Sequence, residues 1–313
     1  MARFGFRHSA HGLALALVAG VAHAQTAAPP PTSGSALGAP GQSIAAQREQ
    51  AASTTPAASD SSKLSELDLL TFYKDNYFLT GFTKGTEVKF QFSAKFDIWP
   101  NRTQHAVYFA FSQVSLWDLY QPSQPFIENN YRPELFYTFF NNPGRYDPPP
   151  GCAFFMERIG LLHESNGEEG ARSRGWNRVY GETRFACYDA ARDYADVAVQ
   201  AWLPFGMVDN PHITRYEGYG ELSASVGRDQ GRGLLGDWDF TVHARKGTSK
   251  RLSRGSVELD LRWRPRYGTW WRFTPYLYSQ LFTGDAETLL TYDRTLTTFR
   301  VGIGLTDRST RSE

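Results

Sequence analysis

Hydrophobic and polar residues change places at every second position along much of this chain. Between Glu87 and Trp99, Val88, Phe90, Phe92, Ala94, Phe96 and Ile98 fall on one face of an extended strand. Lys89, Gln91, Ser93, Lys95 and Asp97 fall on the other. Val257, Leu259, Leu261 and Trp263 alternate in the same way with Glu258, Asp260, Arg262 and Arg264, and Phe299, Val301, Ile303 and Leu305 repeat the pattern near the end. A face this charged is not a packed protein core; it meets water or other charges, as in the lumen of a barrel. Such runs predict strands starting near Asn76, Glu87, His105, Glu134, Ala153, Trp176, Asp193, Arg215, Asp237, Val257, Trp271 and Thr297. The count is about twelve, an even number, and the expected fold class is all-β: a twelve-stranded antiparallel transmembrane β-barrel.

Composition narrows this further. Aromatic residues make up 15% of the chain, and no apolar run of about 20 residues follows the first segment, so strands rather than helices are expected to cross a membrane. Trp99, Trp117, Trp176, Trp202, Trp263, Trp270 and Trp271 lie mostly near strand ends, where aromatic girdles sit. Lys and Arg total 33 against 32 Asp and Glu, so no general attraction to nucleic acid follows and no nucleic-acid partner is expected.

The N-terminus places Arg3, Arg7 and His8 before an apolar segment from Leu13 to Val21 that closes with Ala22-His23-Ala24. This predicts a cleaved secretory signal over 1–24. From 25 to 62 the chain is Ala, Pro, Ser, Thr, Gly and Gln with almost nothing large and apolar to bury, which predicts a disordered spacer ahead of a barrel domain over 63–313. Export to an oxidising space makes a bridge between Cys152 and Cys187, the two cysteines, worth testing. If His163 pairs with Asn177 across antiparallel neighbours, strict alternation puts the two cysteines on opposite faces. A bridge then requires a bulge or a relaxed turn.

The chemistry concentrates between Ile159 and Tyr180. His163 and Ser165 are two residues apart at the end of an apolar strand and share the parity of Ile159 and Leu161, so a base and a hydroxyl sit together on the outward face. Unpaired polar groups facing lipid are costly, so the two should satisfy each other and a third group. Asn177, which opens the next strand, can accept the far imidazole proton and fix the tautomer. The backbone amides after Ser165, with Gly167 allowing close approach, are candidates for an oxyanion hole.

The string His163-Glu164-Ser165-Asn166-Gly167 followed by Ser173-Arg174-Gly175-Trp176-Asn177-Arg178, with the loop length between them, resembles the active-site segment of the outer-membrane phospholipase A family. Pro125-Phe126, Asn130-Tyr131, Pro133, Leu135-Phe136, Asp209-Asn210-Pro211, Ile213-Thr214 and Tyr216 extend the likeness, which runs from about Asp75 to Leu305. The resemblance implies a barrel in the outer membrane of a Gram-negative bacterium with a Ser-His-Asn triad on its outer face. Members hydrolyse sn-1 and sn-2 acyl esters of phospholipids and lysophospholipids, require Ca2+, and are activated as homodimers. Carried over, Ser165 is the nucleophile, His163 the base, Asn177 the orienting group, and Gly167 an oxyanion donor. Calcium in the dimer would be held by Glu168 and Ser173 with Ser123 from the partner chain, and Asp209 matches the monomer's calcium position. Gln113 matches a dimer-interface Gln, and a girdle-level Gln is the other reading. Two departures stand out: Glu168 replaces an Arg, and the chain ends in Thr306 to Glu313 without the terminal Phe of an assembly signal. The alternative is a non-enzymatic barrel, either a small pore or a structural protein.

Overall fold

The computed structural model describes residues 70–81, 87–99, 105–139, 150–191, 193–228, 236–251, 253–265 and 273–307. The expected signal segment, the spacer and the last six residues lie outside these. Strands β1 (Leu70–Phe72), β2 (Asn76–Gly81), β3 (Val88–Asp97), β4 (Ala106–Trp117), β5 (Phe126–Thr138), β6 (Gly151–Ser165) and β7 (Gly175–Tyr188) form the first half of the sheet. They are followed by β8 (Asp193–Phe205), β9 (Gly220–Arg228), β10 (Asp237–Lys246), β11 (Gly255–Arg264), β12 (Phe273–Gly284) and β13 (Leu296–Asp307). Every neighbouring pair is antiparallel; β13 returns to β2, and β3 pairs with both β2 and β4, so the sheet closes on itself.

β1 lies against the same partner as β2, Leu70 opposite Phe96 and Tyr77 opposite Gln91, so the two form one stave and the barrel has twelve. Between them Tyr73, Lys74 and Asp75 turn inward. The Tyr73 hydroxyl donates to Glu134 at 2.9 Å, and Asp75 accepts from Arg262 at 2.9 Å and from the Tyr276 hydroxyl at 2.5 Å.

Alternation sorts the walls as the sequence requires. Phe92, Phe109, Leu135, Leu161, Val197, Leu277 and Ile303 are exposed on the outside, while Lys89, Glu134, Glu164, Arg178, Asp260 and Arg300 are buried inside. Buried charges are tolerated only when paired. Arg262 bridges Asp75, Asp239 and Asp260, and Arg184 bridges Glu157, Glu182 and Asp196. A polar cavity of 590 Å³ lies between these walls. Among the described residues no helix is long and apolar enough to cross a membrane.

Two strand starts differ from the sequence expectation. β5 begins at Phe126 rather than near Glu134: its outward face carries Asn129 and Pro133, which hide the alternation, and Asn129 is satisfied by the Ser115 hydroxyl at 2.7 Å. Pro133 has no N–H to offer, and the β5–β6 ladder lapses between Tyr131 and Glu134. The strand expected near Arg215 begins at Gly220; residues Thr214–Glu217 form a single helical turn, α1, whose Glu217 is held by Arg245 at 2.5 Å.

Cys152 and Cys187 are bonded, with Cα atoms 4.0 Å apart. The register explains how. His163 pairs with Asn177, but a bulge between Met156 and Arg158 shifts the ladder by one, bringing Cys152 opposite Cys187.

Candidate active site

β6 presents Ile159, Leu161, His163 and Ser165 outward and Leu162 and Glu164 inward. The inward side fixes the strand. Glu164 takes guanidinium contacts from Arg132 at 2.7 Å and Arg178 at 2.6 Å and the Trp176 indole N–H at 3.2 Å. Arg178 lies over the Trp176 ring at 4.2 Å, and Trp202 closes the cluster by donating to the Gly218 carbonyl at 3.1 Å. The outward pair therefore stands on a wall whose rotamers are held from behind.

On the outside, His163 faces Asn177 in register, and His163 Nδ1 lies 2.8 Å from Asn177 Oδ1. The Asn177 amide has one sensible orientation, because its Nδ2 donates to the Phe205 carbonyl at 3.4 Å. The oxygen then faces His163, so Nδ1 carries the proton and Nε2 keeps a free lone pair. Gly206 makes room for this: its φ is +66°, and a Cβ there would stand 2.6 Å from Asn177 Nδ2. Ser165 is in register with both Tyr131 and Gly175. Among the described residues no hydrogen bond joins Ser165 to His163, so two of the three expected partners are in contact and the third is a strand neighbour. Nucleophile–base bonds are often loose before substrate binds.

Loop 166–174 is built on Asn166, a buried residue the sequence reading passed over. Its Oδ1 accepts the N–H of Arg174 at 2.9 Å and of Glu168 at 3.3 Å, and its Nδ2 donates to the Arg172 carbonyl at 2.8 Å. Gly167 sits at φ +67°, and a Cβ there would meet the Tyr131 ring at 2.9 Å, so only glycine fits. Among the described residues its N–H has no acceptor. Asn210 pins the far end of the loop, accepting the Gly175 N–H at 3.0 Å. An Asn before Pro211 in a loop signals such a turn, and the even parity of Glu164 signals its lumenal role.

The expected calcium ligands divide. Ser173 Oγ donates to Asp209 Oδ2 at 2.8 Å, which puts a hydroxyl and a carboxylate oxygen side by side. The Glu168 carboxylate is instead bound by Arg172, whose hydrogen bond holds the carboxyl below its ordinary value, leaving the Glu168 carbonyl as its donor. Ser123 lies at φ +72° on the exposed turn between β4 and β5, at the same barrel end. Among the described residues no three acidic, His or Cys side chains are placed so that they could hold a metal ion by themselves. The all-oxygen pair suits a hard cation, and needs oxygens from water or another chain to reach six or more. Gln113 donates to Ser115 Oγ at 3.1 Å, so its amide is partly satisfied within the chain.

A family model described as Phospholipase A1 matches residues 57–305. The chain is 33% identical over 231 residues to the Phospholipase A1 of Escherichia coli (strain K12), spanning 71% of this chain and 70% of that one. Its fold is similar to the solved outer membrane phospholipase A from Escherichia coli, with a TM-score of 0.59, 27% identity, and coverage of 76% and 98%. It is similar too to the Salmonella typhi outer membrane phospholipase dimer with bound calcium, with a TM-score of 0.58, 26% identity, and coverage of 76% and 92%.

Proposed function

We propose, from the fact that this chain belongs to the phospholipase A1 family, that it is an outer-membrane enzyme cleaving phospholipid acyl esters with Ser165, His163 and Asn177. The observation that carries the reading is the 2.8 Å contact between His163 Nδ1 and Asn177 Oδ1 on the lipid-facing wall, two residues from Ser165. Ser165 Oγ attacks the ester carbonyl carbon while His163 Nε2 takes its proton. Asn177 holds the opposite proton and so keeps the ring in the tautomer this needs. The unclaimed Gly167 N–H donates to the oxyanion of the tetrahedral intermediate. His163 then returns its proton to the departing glycerol oxygen, leaving an acyl group on Ser165. Water deprotonated by His163 Nε2 then attacks the acyl carbon, and His163 returns that proton to Ser165 Oγ as the acyl–oxygen bond breaks and the fatty acid is freed.

Asn177 is neutral and stabilises imidazolium less than a carboxylate does, so added positive charge is useful beside the ester. In a homodimer paired through Gln113, the Glu168 carbonyl and Ser173 are the residues that would hold Ca2+, with Ser123 from the second copy, while Asp209, beside Ser173, would hold it in the monomer. When bound, calcium supplies positive charge near the developing oxyanion. A site on an open wall bathed in lipid supports cleavage of either the sn-1 or the sn-2 ester, and of lysophospholipids. The signal over 1–24 would deliver the chain for export. Lumenal ion pairs and the inward turn at Tyr73 to Asp75 weigh against a small pore.

The test is fatty-acid release from phospholipid micelles, with and without chelator, by the parent protein and by Ser165→Ala. Release that needs calcium and disappears in Ser165→Ala supports the reading. Release indifferent to both would overturn the mechanism, and no release under dimer-promoting conditions would favour a non-enzymatic barrel.

A further inference from the structure

The strands fix which loops share the Ser165 end of the barrel. β6 runs toward it, and so do β8, β10 and β12, which places loops 206–219, 247–254 and 285–295 there. Two of these are packed into one body. The Thr248 N–H donates to the Thr214 carbonyl at 3.0 Å, a Cβ on Gly247 would stand 2.1 Å from the Arg215 carbonyl, and the Arg254 guanidinium lies 5.0 Å from the centre of the Tyr216 ring.

The 246–254 half of this body is strongly cationic. From Lys246 to Arg254 there are four basic residues and no acidic one, although the whole chain carries a net charge of only +1. Two of the four are held inside the loop. Lys246 gives its ammonium to the carbonyls of Gly247, Ser249 and Arg251 at 2.8, 3.0 and 3.0 Å, and Arg254 binds Asp285 at 3.1 Å. These bonds shape the loop and leave Lys250 and Arg251 at its exposed tip. Arg215, exposed on α1, adds a third charge from the loop packed against it. Among the described residues none of the three has an ion-pair partner. Of the acids around them, Glu217 is held by Arg245 and Asp285 by Arg254, Asp209 accepts from the Ser173 hydroxyl, and the exposed Asp293 follows Tyr292, whose ring meets Tyr216.

Positive charge kept unpaired and held at the level of the headgroups has an obvious complement. We propose that Arg215, Lys250 and Arg251 form a docking surface for phosphomonoester headgroups of lipids in the outer leaflet, beside the hydrolytic site and distinct from it. The membrane placement rests on the proposed function, whereas the cationic surface itself does not. Guanidinium groups bind phosphate oxygens in pairs and the ammonium adds a point charge, so a doubly charged phosphomonoester is favoured over a zwitterionic headgroup. Each basic residue near such a surface contributes about fivefold in affinity, so removal of three should weaken retention on the order of 100-fold.

The experiment places the full chain in vesicles of ether-linked phosphatidylcholine containing ether-linked phosphatidic acid, neither of which has an acyl ester to cleave. Lipid retained on extracted protein is read by native mass spectrometry for the parent and for the triple variant Arg215→Gln, Lys250→Gln, Arg251→Gln. The parent should retain phosphatidic acid over phosphatidylcholine, the triple variant should lose that preference, and an equal concentration of inorganic phosphate should not displace the lipid. Equal retention by parent and variant would overturn the proposal, and so would full displacement by inorganic phosphate, which would mark a free-phosphate site. Hydrolysis of ester-linked micelles, measured alongside, should be unchanged in the variant, so failure of the docking surface is separable from failure of the hydrolase reading. If the triple variant does not fold, Lys250→Gln and Arg251→Gln alone should each cost about fivefold, and no loss in either overturns the proposal.

Discussion

Replacing Asn177 with Ala removes the acceptor on His163 Nδ1 while leaving the proposed base, His163, and the proposed nucleophile, Ser165, in place. In the resting enzyme that contact is a neutral hydrogen bond, worth about 0.5–1.5 kcal/mol; once His163 carries the serine proton it becomes charge-assisted, worth about 1.5–3 kcal/mol. The difference, about 1–1.5 kcal/mol, is stabilisation felt only in the transition state, and corresponds to roughly tenfold in kcat. Loss of tautomer and ring orientation adds to it, so the expected fall is about 10- to 100-fold with KM little changed. His163→Ala removes the base itself and should cost on the order of 10⁴-fold or more. Gly206→Ala provides an independent route to the same defect, since its Cβ would stand 2.6 Å from Asn177 Nδ2 and push the amide off His163. The assay is titration of fatty acid released from phospholipid micelles at saturating calcium, for the three variants and the parent. If Asn177→Ala were as inactive as His163→Ala, or as active as the parent, the assigned division of roles would be refuted.

Glu164→Ala leaves Arg132 and Arg178 unpaired behind the active strand and should lower stability by about 3–5 kcal/mol, measured as a shift in the urea midpoint of protein folded in vesicles; an unchanged midpoint would contradict the supporting role. Reduction of the Cys152–Cys187 bond, which joins residues 35 apart, should cost about 3–4 kcal/mol of stability in the chain-entropy account. Activity should survive it, because the bridge is about 36 Å along the strand from His163 at ~3.3 Å per residue. Asp209→Ala should raise the calcium concentration needed for half-maximal hydrolysis at least tenfold while sparing the barrel's heat-resistant electrophoretic mobility, and an unaltered calcium curve would exclude Asp209 as a ligand.

The outward parity of His163 and Ser165 was legible because period-two alternation holds without interruption along β6 from Arg158 onward. The same logic misplaced the start of β5, where an outward Asn129 is satisfied by a neighbouring strand and Pro133 sits where the ladder lapses. It placed a strand start at Arg215, where a single helical turn stands instead, because the ion pair from β10 that buries Glu217 leaves no mark in the local pattern. Partners that cross strands leave no local trace. Nothing near Cys152 shows that a bulge thirty residues before Cys187 brings the two together. Asn166 and Asn210 were overlooked for a related reason: their amides bind backbone, and backbone contacts have no sequence signature beyond the residue type.

Covalent trapping distinguishes Ser165, the proposed nucleophile on the outward wall, from every other hydroxyl of the chain. Protein folded in micelles with calcium is treated with an alkyl sulfonyl fluoride, and the modified residue is located by peptide mass spectrometry. One adduct is expected, on Ser165, forming in step with loss of hydrolysis and absent in His163→Ala. Inactivation with the adduct on any other residue, or with Ser165 unmodified, would contradict it.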